Sequence, residues 1–327
     1  MLGILLVVAV FGVIYLVFSA ASGESEPSGP ARIEVVQGDT LSSVAEKLER
    51  AGVTPSAFMF KMEARVGGYG SEIRTGEYTF ARGAESDVIL QKLTAGEAVA
   101  TLPITVPEGL SLEETAKEVA DQSNIPAAKF AEAAKRTDYG YGFLEDPAIK
   151  TTEGFLFPKQ YEFEEGTTAP QMVTRMLEQY LLETETLDIS AARERLNLTE
   201  YELLTVASLI EKEASMPEER PLVASVIYNR IRKDMPLQID ASIHYALDKQ
   251  GKELSLADLE VNSPYNTYEN PGLPPGPICS PSRQSLEAAV NPAETDYLYY
   301  VLKANGEEHF FTSNYREFLE AKARAGR

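Results

Sequence analysis

The chain has 327 residues, 44% of them hydrophobic, and a formal charge of −20 from 50 acidic against 30 basic residues. That balance excludes a nucleic-acid binder, which needs a basic surface. A single cysteine, Cys279, excludes an intrachain disulfide; two distant histidines, His244 and His309, match no zinc spacing, and no Walker-type phosphate loop is present, so neither a metal nor a cofactor is expected.

The chain opens on an uncharged apolar run, Met1 to Ser22. A membrane span needs about 20 apolar residues, whereas a cleaved signal has a shorter core and a basic start. The run is therefore expected to be an uncleaved single-pass anchor, with the bulk of the chain exported. Residues 23–31 form a polar linker. The stretch from Ile33 to Val53 predicts a strand, a turn at Gly38 and a helix N-capped by Thr40, with Leu41, Val44, Ala45 and Leu48 as its apolar face.

Next, "IRTGEYTFARGAESDVILQKLTAGE" predicts a strand in which Tyr78 and Phe80 alternate, a loop, and a helix ending at Gly96. The strand–turn–helix pattern then returns from Ile104. Gly109, Ser111, Leu112, Ala116 and Val119 answer Gly38, Thr40, Leu41, Ala45 and Leu48, and Phe130 answers Phe58. Glu153 to Phe163, "EGFLFPKQYEF", is rich in aromatic residues, which we assign to packing.

From Ala169 onward the pattern is helical. One helix is expected near Gln171 to Glu185, a second from Thr199 with a Thr199/Glu202 capping box, and a third after Pro221. Asn305-Gly306 predicts a terminal hairpin, followed by a helix capped by Asn314 and Glu317. The second of these helices ends on two glutamates, Glu211 and Glu213, both at edges of an apolar face. Periodicity does not choose between them, although Glu213 has the more apolar neighbours. A buried carboxyl has a raised pKa and can serve as a general acid; the plainer alternative is two solvated acids at a helix end. Downstream, "MPLQIDASIHYAL" brings Gln238 and Asp240, and the Pro-, Gly-, Asn- and Tyr-rich loop from Ser263 to Ser282 suits a sugar, offering aromatic faces and amides.

The segments "ASLIEKEAS", "LQIDASIHYAL", "YNTY", "GLPPGPI", "YLYYV", "GDTLSSVAEKL" and "GFLFPKQY" resemble the YceG-like (MltG) family of endolytic murein transglycosylases, in the family's own order. The resemblance implies an α+β fold: an N-terminal transmembrane helix, LysM-like α/β subdomains, and a mainly helical catalytic domain with a C-terminal β-hairpin. The implied boundaries are 1–22 for the anchor, 23–31 for the linker, 32–100 for the LysM-like domain, 101–168 for the second strand–turn–helix region and 169–327 for the catalytic domain.

The implied activity is a cofactor-free lyase at the outer side of the cytoplasmic (inner) membrane. It cuts the β-1,4 bond between N-acetylmuramic acid and N-acetylglucosamine within a glycan strand and leaves a 1,6-anhydro end. Glu213 is the implied catalytic acid, and Gln238, Asp240, Asn266, Tyr268 and Asn314 match motif positions that line the glycan groove. Asp240 stands equally as the N-cap of the following helix, and His309 as a structural hydrogen-bonder. Peptidoglycan synthases are partners implied by the family alone. Ala241, Ser242, Ser280 and Phe318 depart from the family pattern. A lysozyme-like hydrolase using Asp240 and a non-catalytic glycan-binding scaffold are the alternatives.

Overall fold

The computed structural model describes residues 30–67, 69, 73–95, 101–249 and 252–326. The apolar run Met1–Ser22 and most of the linker lie outside them, and no helix among the described residues is long and apolar enough to cross a membrane. Among the described residues the fold is α+β and mostly helical, with three two-stranded antiparallel sheets. It divides into two compact units, Met1–Val99 and Ala100–Arg327.

In the first unit, β1 (Ala31–Val35) pairs antiparallel with β2 (Gly76–Phe80), in a register that joins Ala31 to Phe80 and Val35 to Gly76. Side chains alternate across β1, so Ala31, Ile33 and Val35 face inward. The chain turns at Gly38, whose φ of 96° favours glycine. It then enters α1 (Leu41–Arg50), where Thr40 and Ser43 satisfy each other's backbone N–H groups in a capping box. Together with α2 (Ala57–Val66) and α3 (Ser86–Ala95), these elements bury Val44, Leu48, Phe60, Tyr78, Ile89, Leu90 and Leu93.

The second unit begins with the same strand–helix–helix–strand order. Strand β3 (Thr101–Thr105) is followed by α4 (Leu112–Gln122), α5 (Ala127–Ala134) and β4 (Gln160–Glu164), which pairs antiparallel with β3. Gly109 has a φ of 76°, and Ser111 closes a capping box with Glu114, as Gly38 and Thr40 do in the first copy. One equivalence differs from the sequence reading. Phe130, the fourth residue of α5, matches Phe60, the fourth of α2. Both are fully buried, whereas Phe58 is 67% exposed. The second helix begins one residue earlier relative to the first helix in the second copy, and that slip is invisible to apolar spacing alone.

The remaining helices are α6 (Ala169–Thr184), α7 (Ile189–Leu196), α8 (Glu200–Glu213), α9 (Arg220–Arg232), α10 (Asp240–Leu247), α11 (Arg283–Val290) and α12 (Tyr315–Arg324). Strands β5 (Tyr299–Leu302) and β6 (His309–Thr312) form the expected hairpin. Helix α8 is the centre of this part, packed by α9, α10 and α11. Every residue from Leu203 to Ile210 is buried, so α8 is enclosed on all sides rather than amphipathic. That is why periodicity could not rank its two terminal glutamates.

The loop from Ser263 to Ser282 also differs from expectation. Most of its second half, including Ile278 to Ser282, is buried along α8. The Ile278 N–H donates to Ser208 Oγ, and Ser280 exchanges backbone hydrogen bonds with Gly109 and Leu110. This half braces the central helix instead of presenting groups to a ligand.

Candidate active site

Two residues along an α-helix rotate the side chain by about 200°. Glu211 and Glu213 therefore leave the end of α8 in nearly opposite directions. Glu211 is drawn into the protein: its Oε2 accepts from the Ser282 N–H at 3.0 Å and from the Ser282 and Ser285 hydroxyls at 2.6 Å each, with the Arg220 guanidinium 3.9 Å away. Ser282 is itself the N-cap of α11, so this carboxylate ties α8 to the start of α11.

Glu213 meets different chemistry. Its Oε2 accepts a single hydrogen bond, from the Tyr300 hydroxyl at 2.7 Å. The residue stays partly accessible, so a ligand can reach it. Loss of water around the carboxyl raises its pKa above the usual carboxylate range, and the nearby charge of Asp240 pushes the same way. The Tyr300 hydrogen bond, His309 and Arg230 act in opposition. The net shift is upward, towards the protonated form that an acid needs before it reacts.

Asp240 lies at the first turn of α10 and is exposed. The N-cap of that helix is Ile239, with no side-chain cap, so the capping role for Asp240 is not seen. Instead, Asp240 Oδ1 accepts from the Tyr268 hydroxyl. Gln238 is exposed and sits in the left-handed region at φ 53°, an uncommon conformation for a residue of this type. The cost is carried by its surroundings. The Gln238 N–H donates to Thr267 O, the Ile239 N–H donates to Thr267 Oγ1, and Ser242 Oγ lies 2.9 Å from that same hydroxyl.

These stitches hold the segment carrying Gln238 and Asp240 against the one carrying Tyr268. Two of the departures from the family pattern, Ala241 and Ser242, are buried at this junction. Ser280 is likewise buried, and Phe318 stacks on Tyr299 at 5.4 Å between ring centres.

One expected groove residue is placed otherwise. Asn266 is fully buried; its Nδ2 donates to Leu259 O and Val261 O, and its Oδ1 accepts from the Tyr268 N–H. With donors and acceptor all spent on backbone, it shapes the loop that presents Tyr268. Asn314 caps α12 by accepting from the Arg316 N–H. Glu317 does not complete a capping box there; it accepts from the Thr312 hydroxyl instead. Tyr265 packs on Tyr245 at 4.8 Å. Cys279 is fully buried, and that burial holds its thiol well above its usual pKa.

Three residues escaped the sequence reading as parts of the site. Arg230 donates from Nε to Leu298 O at 2.7 Å and from Nη1 to Leu237 O at 2.7 Å. It thus clamps the approach to Gln238 against the strand that carries Tyr300, and it stacks on Tyr299. Tyr300 lay inside the quoted "YLYYV" motif, but among adjacent tyrosines only strand pairing decides which one faces the acid. Glu219 receives both the backbone N–H and Nδ1 of His309, at 2.7 and 2.6 Å, which agrees with the structural role expected of His309. A cleft of about 420 Å³ lined by Ile125, Pro126 and Ala133 lies in the same unit, but none of these site residues lines it.

The YceG-like family profile matches residues 33–324, nearly the whole described chain. The chain belongs to the YceG-like family. Its similarity to an endolytic murein transglycosylase of Bacillus subtilis is 35% identity over 312 residues, covering 91% of this chain and 86% of that one. Its similarity to an endolytic murein transglycosylase of Streptococcus pneumoniae is 32% identity over 334 residues. That match covers 93% of this chain but spans only 60% of the pneumococcal protein's length. Among solved structures, a YceG-like protein from Listeria monocytogenes superposes with a TM-score of 0.60 at 29% identity, covering 90% of this chain and 99% of the other. In this YceG-like chain, the end of α8, the start of α10 and the terminal hairpin meet around one partly accessible, desolvated carboxyl.

Proposed function

We propose that this chain is an endolytic murein lytic transglycosylase and that Glu213 is its acid and base. The observation that carries the reading is the environment of Glu213: a partly accessible carboxyl, shifted towards its protonated form by burial and held by one hydrogen bond. The family relationship supports the substrate class.

The reaction follows from that one group. Protonated Glu213 gives its proton to the glycosidic oxygen that leaves with N-acetylglucosamine, and the bond to the muramic acid anomeric carbon breaks. The 6-hydroxyl of the same muramic acid attacks that carbon, and the Glu213 carboxylate takes the hydroxyl proton. A 1,6-anhydro ring results, no water is consumed, and the acid is restored. An ordinary glycosidase needs a second carboxylate as nucleophile or as base for water. Here the nucleophile is tethered to the substrate, and proximity replaces it. Asp240, exposed and held by Tyr268, places negative charge where the oxocarbenium character develops. Gln238 offers an amide to the sugar hydroxyls.

The apolar run Met1–Ser22 anchors the chain in the cytoplasmic membrane with the catalytic part outside. The 32–100 segment acts as a LysM-like glycan-binding module, and synthases that make new strands are the partners.

Digestion of purified glycan strands tests the reading. Mass spectrometry is expected to find anhydro ends, and Glu213→Gln is expected to abolish cleavage in a folded protein. Reducing ends would instead favour the hydrolase reading, for which the electrostatic contact between Asp240 and Glu213 is the motivating observation. A Glu213→Gln protein that retained its cellular effect without cleaving would leave a glycan-binding scaffold.

A further inference from the structure

We propose that Tyr300, held in place by the His309–Glu219 pair, is a positioning residue that reserves Oε1 of Glu213 for the reacting proton. This inference rests on the reading of Glu213 as the acid.

A carboxyl has two oxygens, and an acid is efficient only if its proton sits on the one that faces the substrate. The Tyr300 O–H donates to Glu213 Oε2 at 2.7 Å. Burial keeps the Tyr300 phenol well above its usual pKa, so it remains a donor throughout the working range. An oxygen that accepts a hydrogen bond from a phenol is the poorer place for a second proton. The proton of neutral Glu213 therefore resides on Oε1. After transfer to the sugar, the same O–H stabilises the carboxylate that remains, because a hydrogen bond to a charged acceptor is the stronger kind.

The tyrosine is fixed by strand pairing. Tyr300 lies opposite Phe311 in the β5–β6 register, and His309, two residues before Phe311, shares that face. The rings confirm it: the Tyr300 ring meets Phe311 at 5.8 Å and the His309 ring edge-on at 5.5 Å. His309 is in turn locked by Glu219, from the turn Pro217–Glu219 before α9, through both its backbone N–H and Nδ1. A carboxylate only accepts, so His309 Nδ1 carries a hydrogen. The chain of contacts thus runs from Glu219 through His309 to Tyr300 and ends on the acid.

The test reads the basic limb of the pH–rate profile on purified glycan strands, because activity is lost when Glu213 ionises. Four groups face Glu213: Tyr300 and His309 from the hairpin, Asp240 from α10 and Arg230 from α9. In Tyr300→Phe the carboxylate loses its donor while the ring stays. The basic limb is expected to move up by about one pH unit and kcat to fall roughly 10- to 100-fold, with KM little changed.

Replacement of Tyr300 by 3-fluorotyrosine keeps the ring and hydroxyl but strengthens the donor, and should move the limb down. A residue that only filled space would move neither limb. Unshifted limbs in both proteins, with Glu213→Gln inactive, overturn the role of Tyr300 alone. Cleavage by Glu213→Gln overturns the acid assignment and this inference with it.

Discussion

Glu153 offers a sharp test of the electrostatics, away from the proposed catalytic carboxyl of Glu213. It is 7% exposed at the N-terminus of α4, where both oxygens accept from the Leu112 N–H at 3.0 and 3.1 Å, and the Tyr245 hydroxyl donates to Oε2 at 3.2 Å. These bonds favour the ionised form, but burial outweighs them and pushes the carboxyl from its ordinary 4.5 up to about 7.

The unfolded chain releases this proton near 4.5 and the folded chain near 7. Between those values the folded state holds the extra proton, so stability falls as pH rises and levels off above 7. At 1.36 kcal/mol per pH unit the interval corresponds to roughly 3 kcal/mol. Glu153→Gln is close to isosteric and cannot ionise. The stability of the variant relative to the original protein should therefore rise by about 3 kcal/mol from pH 4.5 to pH 8.

Glu108, Glu200 and Glu213 are also raised, and they steepen the decline of both proteins alike, so the difference isolates Glu153. With no tryptophan in the chain, urea unfolding is best followed by circular dichroism or tyrosine fluorescence. Parallel stability curves for the two proteins across this range would refute the reasoning.

Further outcomes follow from the packing of the same unit. Glu211→Gln should cost roughly 2–4 kcal/mol, because Arg220 and the Ser282 anchor lose a buried carboxylate. The molecules that fold should still cleave glycan, and loss of turnover at full stability would reverse the assignment within the glutamate pair. Gly276→Ala would place a Cβ 2.2 Å from the Tyr201 hydroxyl. It should destabilise by about 1–3 kcal/mol in thermal melts, and an unchanged midpoint would contradict the close approach. Asn266→Ala removes three hydrogen bonds to the backbone and should lower stability by about 2–3 kcal/mol in urea unfolding. A loss of affinity alone, at native stability, would return Asn266 to the groove.

Much of this was already written in local sequence. The caps at Thr40 and Thr199, the repeated turn glycines Gly38 and Gly109, and the Asn305-Gly306 hairpin each depend on residues a few positions apart, and each formed as expected. Family membership was legible as well, because its motifs are short and ordered along the chain. The family resemblance named Glu213, but the different surroundings of Glu211 and Glu213 were not legible in the periodicity of their helix. Both close the same buried helix, and their surroundings come from Ser282 and Ser285 in one direction and Tyr300 in the other, some 70 to 90 positions along the chain. The clamp that Arg230 makes on Leu298 depends on the same long-range packing, whereas Asn266 is spent on Leu259 and Val261 within its own loop. Local chemistry determined the elements and the cast of polar residues. Only tertiary structure decided which of them lose water and which are spent on backbone, because desolvation and hydrogen-bond partnership are properties of what surrounds a side chain in space.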